Sequence, residues 1–283
     1  MRQYFNSILI PVDFSENTEL AVKKGLELAG NDAVIHLLHV QNHFAPFFSR
    51  VAQEYLIGLN RKRGMEEIDK KLEQWKRTIE ETSSLKVCTW NVIAGSVQDI
   101  INHKATQLKV DLIIIAKHSS HSWFPILNTV NPSQLVQSTG IPVLTAKTGS
   151  FHNKARKIVV PVSSRSAYDK MEIITALSKK FRLHIYIAAI VDNHKEPLGF
   201  YASSILELCK WVKTTIGCPV EYTMLRGSNK AKAILDYAEK INADILLLYP
   251  ETETKLGWMN SEISDVLPSS TKVEVLTIWP LAV

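Results

Sequence analysis

No glycine occurs between Gly95 and Gly140. That gap holds "IIIAKHSSHSWF" (113–124), an apolar run opening into a polar segment, where α/β proteins commonly seat a phosphate on a glycine-rich loop. A cradle built on glycine is excluded there. Cysteine is scarce too. Cys88, Cys209 and Cys218 form no C-x-x-C, and their odd number argues against a disulfide framework and for a reducing, cytoplasmic setting. No run nears the ~20 apolar residues that span a bilayer, and "MRQYFNSILIPVDFS" turns polar too soon for a signal peptide, so no membrane association is expected. Long blocks of one charge are missing. The densest basic cluster, "NRKRG" (60–64), runs straight into "MEEIDKKLEQWKRTIEE", which reads as a solvated helix face. With a net charge of only +5, no nucleic-acid partner is expected. G-x-S-x-G, Walker A and metalloprotease motifs are absent, so no catalytic residue is assigned and no enzymatic activity is expected.

What is present is a duplication. The 283 residues, 46% of them hydrophobic, suffice for two domains of about 100–200 residues each. "NSILIPVDFSENTELAVKKGLELA" (6–29) matches "RKIVVPVSSRSAYDKMEIITALSK" (156–179) in pattern. "VIAGSVQDIINHKATQLKVDLIIIAK" (92–117) matches "MLRGSNKAKAILDYAEKINADILLLYP" (224–250), and "GIPVLTAK" (140–147) matches "KVEVLTIWP" (272–280). Three blocks recur in one order, with a join near 148–156. The expected domains are 1–150 and 151–283.

Periodicity then gives each half the same elements. First strands are expected at 7–12 and 157–162, and amphipathic helices at 17–30 and 167–181. Second strands follow at 34–40 and 184–191. A long charged helix at about 49–82 has a shorter counterpart at about 199–216. Third strands lie at 86–93 and 220–225, and fourth strands at 111–116 and 244–249. Ser96 and Ser228 start the helices between them, and Ser96 with Asp99 suits a capping box. A last helix and a fifth strand (141–147, 273–279) close each half. Apolar runs alternating with helices predict a parallel sheet buried on both faces, so each half reads as a five-stranded, doubly wound α/β domain. The fifth strands are expected to pack the halves together with pseudo-twofold symmetry, because an unpaired apolar edge needs covering.

These residues carry a resemblance. "ILIPVDFSENTELAVKKGLELA", a strand ending "LLHV", "VIAGSVQDIINHKATQLKVDLIIIA" and "GIPVL" together resemble the universal stress protein family, and the chain looks like a tandem member with a more diverged second half. The resemblance implies a Rossmann-like, adenine nucleotide alpha hydrolase-like fold. One branch of that family binds ATP and another does not. In the ATP-binding branch the first strand's end contacts the adenosine, which would place Pro11, Val12 and Asp13 there, with Val40 beside the base. The family's phosphate loop has the form G-x2-G-x9-G-[ST] after the fourth strand. Here it would follow Ala116, with Lys117 and Ser120 at the first two glycine positions and Thr129 and Val130 at the Gly-Ser pair. In the second half Ser163 replaces Asp13, and Glu251 and Glu253 fall where phosphates would go; carboxylates there repel a triphosphate unless a metal intervenes.

Each candidate has a plainer alternative. Asp13 holds a ribose hydroxyl, or caps the following helix. Lys117, Ser119 and Ser120 replace a lost amide nest with side-chain donors, or form an ordinary solvated loop. His118 and His121 have i, i+3 spacing but no Cys or acidic neighbours, so no metal is assigned. His36 and His39 face opposite sides of a strand and read as packing or surface residues. Trp123, Phe124 and Pro125, with Trp258 and Met259 in the second half, cover an empty cleft or line an interface, the first being the preferred reading. Cys88 reads as a core residue. The leading expectation is a stress-response protein that works by binding and conformation. The alternatives are an ATP switch in the first half, hydrolysing slowly at most, and an interaction module without a ligand that captures a partner protein on 49–82. Homodimerisation and the partner's identity stay open.

Overall fold

The first strand of each half is a short β-branched run that ends in Pro-Val, and the chain folds outward from these two strands. The computed structural model describes residues 5–42, 50–94, 96–116, 130–146, 155–162, 168–190, 198–226, 229–250, 255–256, 261–262 and 271–279. The first half runs β1 (Ser7–Pro11), α1 (Glu16–Leu28), β2 (Val34–Asn42), α2 (Arg50–Ser83), β3 (Lys86–Ala94), α3 (Val97–Gln107), β4 (Leu112–Ala116), α4 (Pro132–Thr139) and β5 (Val143–Ala146). The second runs β6 (Ala155–Val162), α5 (Tyr168–Ser178), β7 (Arg182–Ile190), α6 (Leu198–Trp211), a π-helical stretch Val212–Ile216, β8 (Val220–Leu225), α7 (Lys230–Lys240) and β9 (Ile245–Leu248). β10 (Lys255–Leu256) and β11 (Ser261–Glu262) form a small antiparallel pair that the periodicity does not reveal, and β12 (Glu274–Thr277) is last.

Most ends fall within two or three residues of the expected ones. Ser96 caps α3, its hydroxyl accepting from the Asp99 amide at 3.3 Å. Ser228 lies outside the described residues; α7 is capped one position later, where Asn229 accepts from the Lys232 amide. Cys88 is half-buried rather than buried, because β3 is an edge strand.

The two halves share one sheet. Its ten strands run β3-β2-β1-β4-β5-β12-β9-β6-β7-β8. Neighbours are parallel within each half, and β5 and β12 meet antiparallel, with Leu144 opposite Leu276. Helices α1, α2, α5 and α6 cover one face, where a single buried cluster includes Ile10, Leu72, Leu144, Val160, Met171, Ile205 and Leu276 and so spans both halves. On the other face α3 and α4 cover one cluster around Ile113 and Val136, and α7 covers a second around Val159 and Leu246. α1 lies tight against the sheet because Gly25 has no side chain; an added Cβ would come within 2.6 Å of Ile10 Cδ1.

The repeated Asp before each fourth strand has a structural meaning. The Asp111 carboxylate accepts from the amides of Phe5, Asn6 and Ser7 at 2.9, 2.8 and 3.2 Å, stapling the entry of β1 to the start of β4. Asp244 takes the Lys157 amide at 2.8 Å in the same way. Burial pushes the Asp111 carboxyl up, and the three amides pull it back. Asp111→Ala should lower the unfolding free energy by roughly 2–3 kcal/mol, since each abandoned buried donor costs about 1–3 kcal/mol. Urea denaturation followed by circular dichroism checks this; an unchanged midpoint would remove the staple from the account.

Candidate functional site

In an open parallel sheet, ligands bind beyond the carboxyl ends of the strands where the strand order reverses. In the first half that point lies between β1 and β4, because β1 pairs with β2 on one side and β4 on the other. The registers Pro11↔Leu38 and Leu9↔Ile113 bring the ends of the three strands side by side. They gather Pro11, Val12, Asp13, Val40 and Ala116 at this crevice, and all but Asp13 are buried. Val130 is buried too, but in the core under α3 and α4, immediately before Asn131, the residue that caps α4. Lys117, Ser119, Ser120 and Thr129 lie outside the described residues, as do His118, His121, Trp123, Phe124 and Pro125.

Asp13 is engaged locally. Its Oδ1 accepts from the Ser15 amide at 3.1 Å, from the Ser15 hydroxyl at 2.6 Å and from the Thr18 hydroxyl. Ser15 in turn caps α1, accepting from the Thr18 amide. The aspartate therefore orders the β1–α1 corner. Phe14, next in the chain, takes a left-handed φ of 60°, an uncommon conformation for a bulky residue. It is held there by its packing: its ring lies 5.1 Å from His39 and 5.5 Å, edge-on, from Trp75. Lys71 Nζ sits 5.6 Å from the same ring. None of Phe14, Trp75 and Lys71 is marked by a motif, and no signal in the sequence brings them together.

The two strand histidines lie on opposite faces. His39 donates from Nδ1 to the Val12 carbonyl at 2.7 Å, which can only accept. His36 has Trp90 Nε1 3.4 Å from its Nδ1 and the Ser7 hydroxyl 3.3 Å from its Nε2. The indole only donates, so Nε2 carries the proton and gives it to Ser7. Ser7 is thus not activated by a base, and it sits at the opposite end of the strands from the crevice. No group of three or more His, Cys, Asp or Glu that could hold a metal occurs among the described residues.

At the second-half crevice, between β6 and β9, two buried side chains meet. Lys170, fully buried in the first turn of α5, donates to the Pro161 carbonyl at 2.6 Å. Its ammonium lies 4.3 Å from the centre of the buried Tyr249 ring. The ungapped repeat pairs Lys170 with Leu20, but the structure shifts the helix by one residue. Buried positions Lys170, Met171, Ile173, Ile174 and Leu177 have the spacing of Ala21, Val22, Lys24, Gly25 and Leu28. A lysine thus stands where the first half has alanine. Ser163, Glu251, Glu253, Trp258 and Met259 lie outside the described residues.

The profile of the universal stress protein family matches residues 5–147, about half of the chain. The chain belongs to the universal stress protein family. Among solved structures it is similar to a universal stress protein from Archaeoglobus fulgidus DSM 4304, with 20% identity, a TM-score of 0.68 and coverage of 98% of this chain and 97% of that one. A functionally unknown protein from Pseudomonas aeruginosa PAO1 matches with 18% identity, a TM-score of 0.54 and coverage of 98% and 93%. The cytoplasmic domain of a prokaryotic cation chloride cotransporter matches with 8% identity, a TM-score of 0.54 and coverage of 98% and 96%. At these identities the likeness is one of fold alone. No curated protein matches the sequence. No helix among the described residues of this universal stress protein is long and apolar enough to cross a membrane.

Burial depresses the pKa of both strand histidines. Lys86 lowers His36 further; at His39 the Val12 carbonyl and Asp13 partly offset burial, and Lys71 adds to it. Unfolded imidazoles protonate near ~6.5, the folded ones at lower pH. Between those values the unfolded chain binds more protons, so stability is full above ~6.5 and falls as pH drops below it. The urea midpoint should fall between about pH 7.5 and about pH 5.5. In a His36→Gln/His39→Gln variant that fall should shrink, and an equal fall in both proteins would assign the effect to other groups.

Proposed function

We propose that this universal stress protein acts in the stress response by binding and conformation rather than by turnover, with phosphate loops that no longer cradle a triphosphate. Family membership supports the stress-response role. The observation that carries the rest is the Asp13 carboxylate, whose Oδ1 accepts three hydrogen bonds from Ser15 and Thr18. A ligand hydroxyl at Oδ1 would compete with the hydrogen bonds that hold Ser15, the cap of α1, in place. Lys170 over Tyr249 supports the same reading for the second half, since a ligand there would displace a buried ammonium. Three free cysteines fit the cytoplasmic setting that belongs to this reading.

A nucleotide switch built on Asp13 and Val40 is the main rival. The interaction-module reading draws on the length of α2, whose 34 residues make about 51 Å of helix. The nine residues of β3 beside it make only about 30 Å of strand.

Equilibrium binding of labelled ATP, with and without magnesium, separates these readings. The expected result is no saturation up to about 1 mM, a free energy weaker than about −4 kcal/mol. Micromolar binding that Asp13→Ala abolishes, while the variant stays folded by circular dichroism, would establish the switch instead.

A further inference from the structure

The join between the halves is symmetric in its strands and asymmetric in its charges. At one corner Lys24 and Glu27 of α1 meet Arg156 of β6 and Glu274 of β12. Lys24 Nζ lies 3.2 Å from Glu274 Oε2 and 2.8 Å from Glu27 Oε2. Arg156 Nη2 pairs with Glu27 Oε1, and its guanidinium lies 5.1 Å from the centre of the Phe181 ring. Each half gives one cation and one anion, and each cation meets the other half's anion. Lys24, Arg156 and Glu274 are only 2%, 3% and 0% exposed. Lys180, just past α5, adds hydrogen bonds to the Glu27 and Ala29 carbonyls at the end of α1.

The opposite corner carries no such charges. The Asp111 amide donates to Ser7 and the Asp244 amide to Lys157, which makes Asn6 the counterpart of Arg156. Ile113 pairs with Val143 as Leu246 pairs with Val275, which makes Pro142 the counterpart of Glu274. The shared burial spacing of α1 and α5 makes Ile173 the counterpart of Lys24 and Ala176 that of Glu27. Four ionised side chains therefore correspond to Asn, Pro, Ile and Ala.

We propose that this quartet, buried except for the half-buried Glu27, is a recognition code that lets a first half pair only with a second half. The β5–β12 pairing places Leu144 opposite its own counterpart Leu276, so two first halves from different chains could pair by the same backbone hydrogen bonds, Leu144 facing Leu144. Nothing in the strands forbids it. The charges do. In such a pair Lys24 and Glu27 of each copy would meet Pro142 and Asn6 and lose both cross-half partners. Two second halves would set Arg156 and Glu274 against Ile173 and Ala176. Two first halves would keep only the Lys24–Glu27 pair, and two second halves would leave Arg156 and Glu274 without Glu27 and Lys24. Burying ions stripped of partners is unfavourable, and an isologous pair would incur that penalty at both corners. The quartet is not an optimum of stability, because Arg156 Nη1 has no hydrogen-bond partner among the described residues. Its effect is discrimination, achieved by penalising the wrong pairing.

The test uses the full chain with Cys88, Cys209 and Cys218 changed to Ala and Leu144→Cys added. After dilution from urea at rising protein concentration under mild oxidation, this chain should remain a monomer without inter-chain disulfides. With Lys24→Met, Glu27→Leu, Arg156→Met and Glu274→Leu added, the thermal midpoint should be no lower, while the cross-linked fraction rises on the order of tenfold or more. Equal cross-linking in the two chains would overturn the proposal. Should the apolar chain fail to fold, exchanging the charges decides it. Lys24→Glu should lower the thermal midpoint and Lys24→Glu/Glu274→Lys should recover most of the loss; no recovery would show that the cross-half pairing carries no specificity.

Discussion

The antiparallel meeting of β5 and β12 is the contact on which the rest of this molecule depends. Each half is a parallel sheet whose fifth strand is short and buried along its whole length. Left unpaired, such a strand would expose a row of amides and carbonyls beside apolar side chains. Joining the two fifth strands removes both edges at once and makes one ten-stranded sheet. It also leaves β3 and β8 as the outer edges, far apart, with α2 and α6 packed beside them.

The join is not equally built on its two faces. On the side of α1 and α5 one apolar cluster crosses it without a break, through Leu144 and Leu276. On the other side the clusters of the two halves remain separate. The buried ions lie on the continuous side, packed around Leu112, Leu144, Ile245 and Leu276. Burial lowers the Lys24 pKa, and Glu274 opposes that shift, so the ammonium depends on its partner from the other half. Apolar burial there supplies affinity without direction. The charges, which tolerate few alternative partners, supply the direction.

The two crevices show how one fold can keep its shape while its site changes. In the first, the aspartate at the end of β1 is drawn into the cap of α1, and a left-handed phenylalanine packs against His39 and Trp75. In the second, a lysine occupies a core position of α5 and lies on a tyrosine at the end of β9. Backbone topology places both crevices, but side chains decide whether anything enters, which is why fold likeness at 20% identity or less leaves function to the site.

The order of elements and the parallel strand runs were legible in the sequence, because burial on both faces writes a continuous apolar run and a helix writes its own period. The asparagine cap of α7, the β10–β11 pair and the one-residue shift of α5 were not, since each turns on loop geometry that composition does not encode. Asp13 was legible as a candidate and not as a cap or a ligand, because both roles ask for an acceptor at one position. Nothing in the sequence singles out Lys24, Glu27, Arg156, Glu274 or Lys170. Only the tertiary structure, by packing two remote segments at one corner and a helix over a strand end, paired them and buried all but Glu27: a charge's partner and its solvent are set by what folds over it.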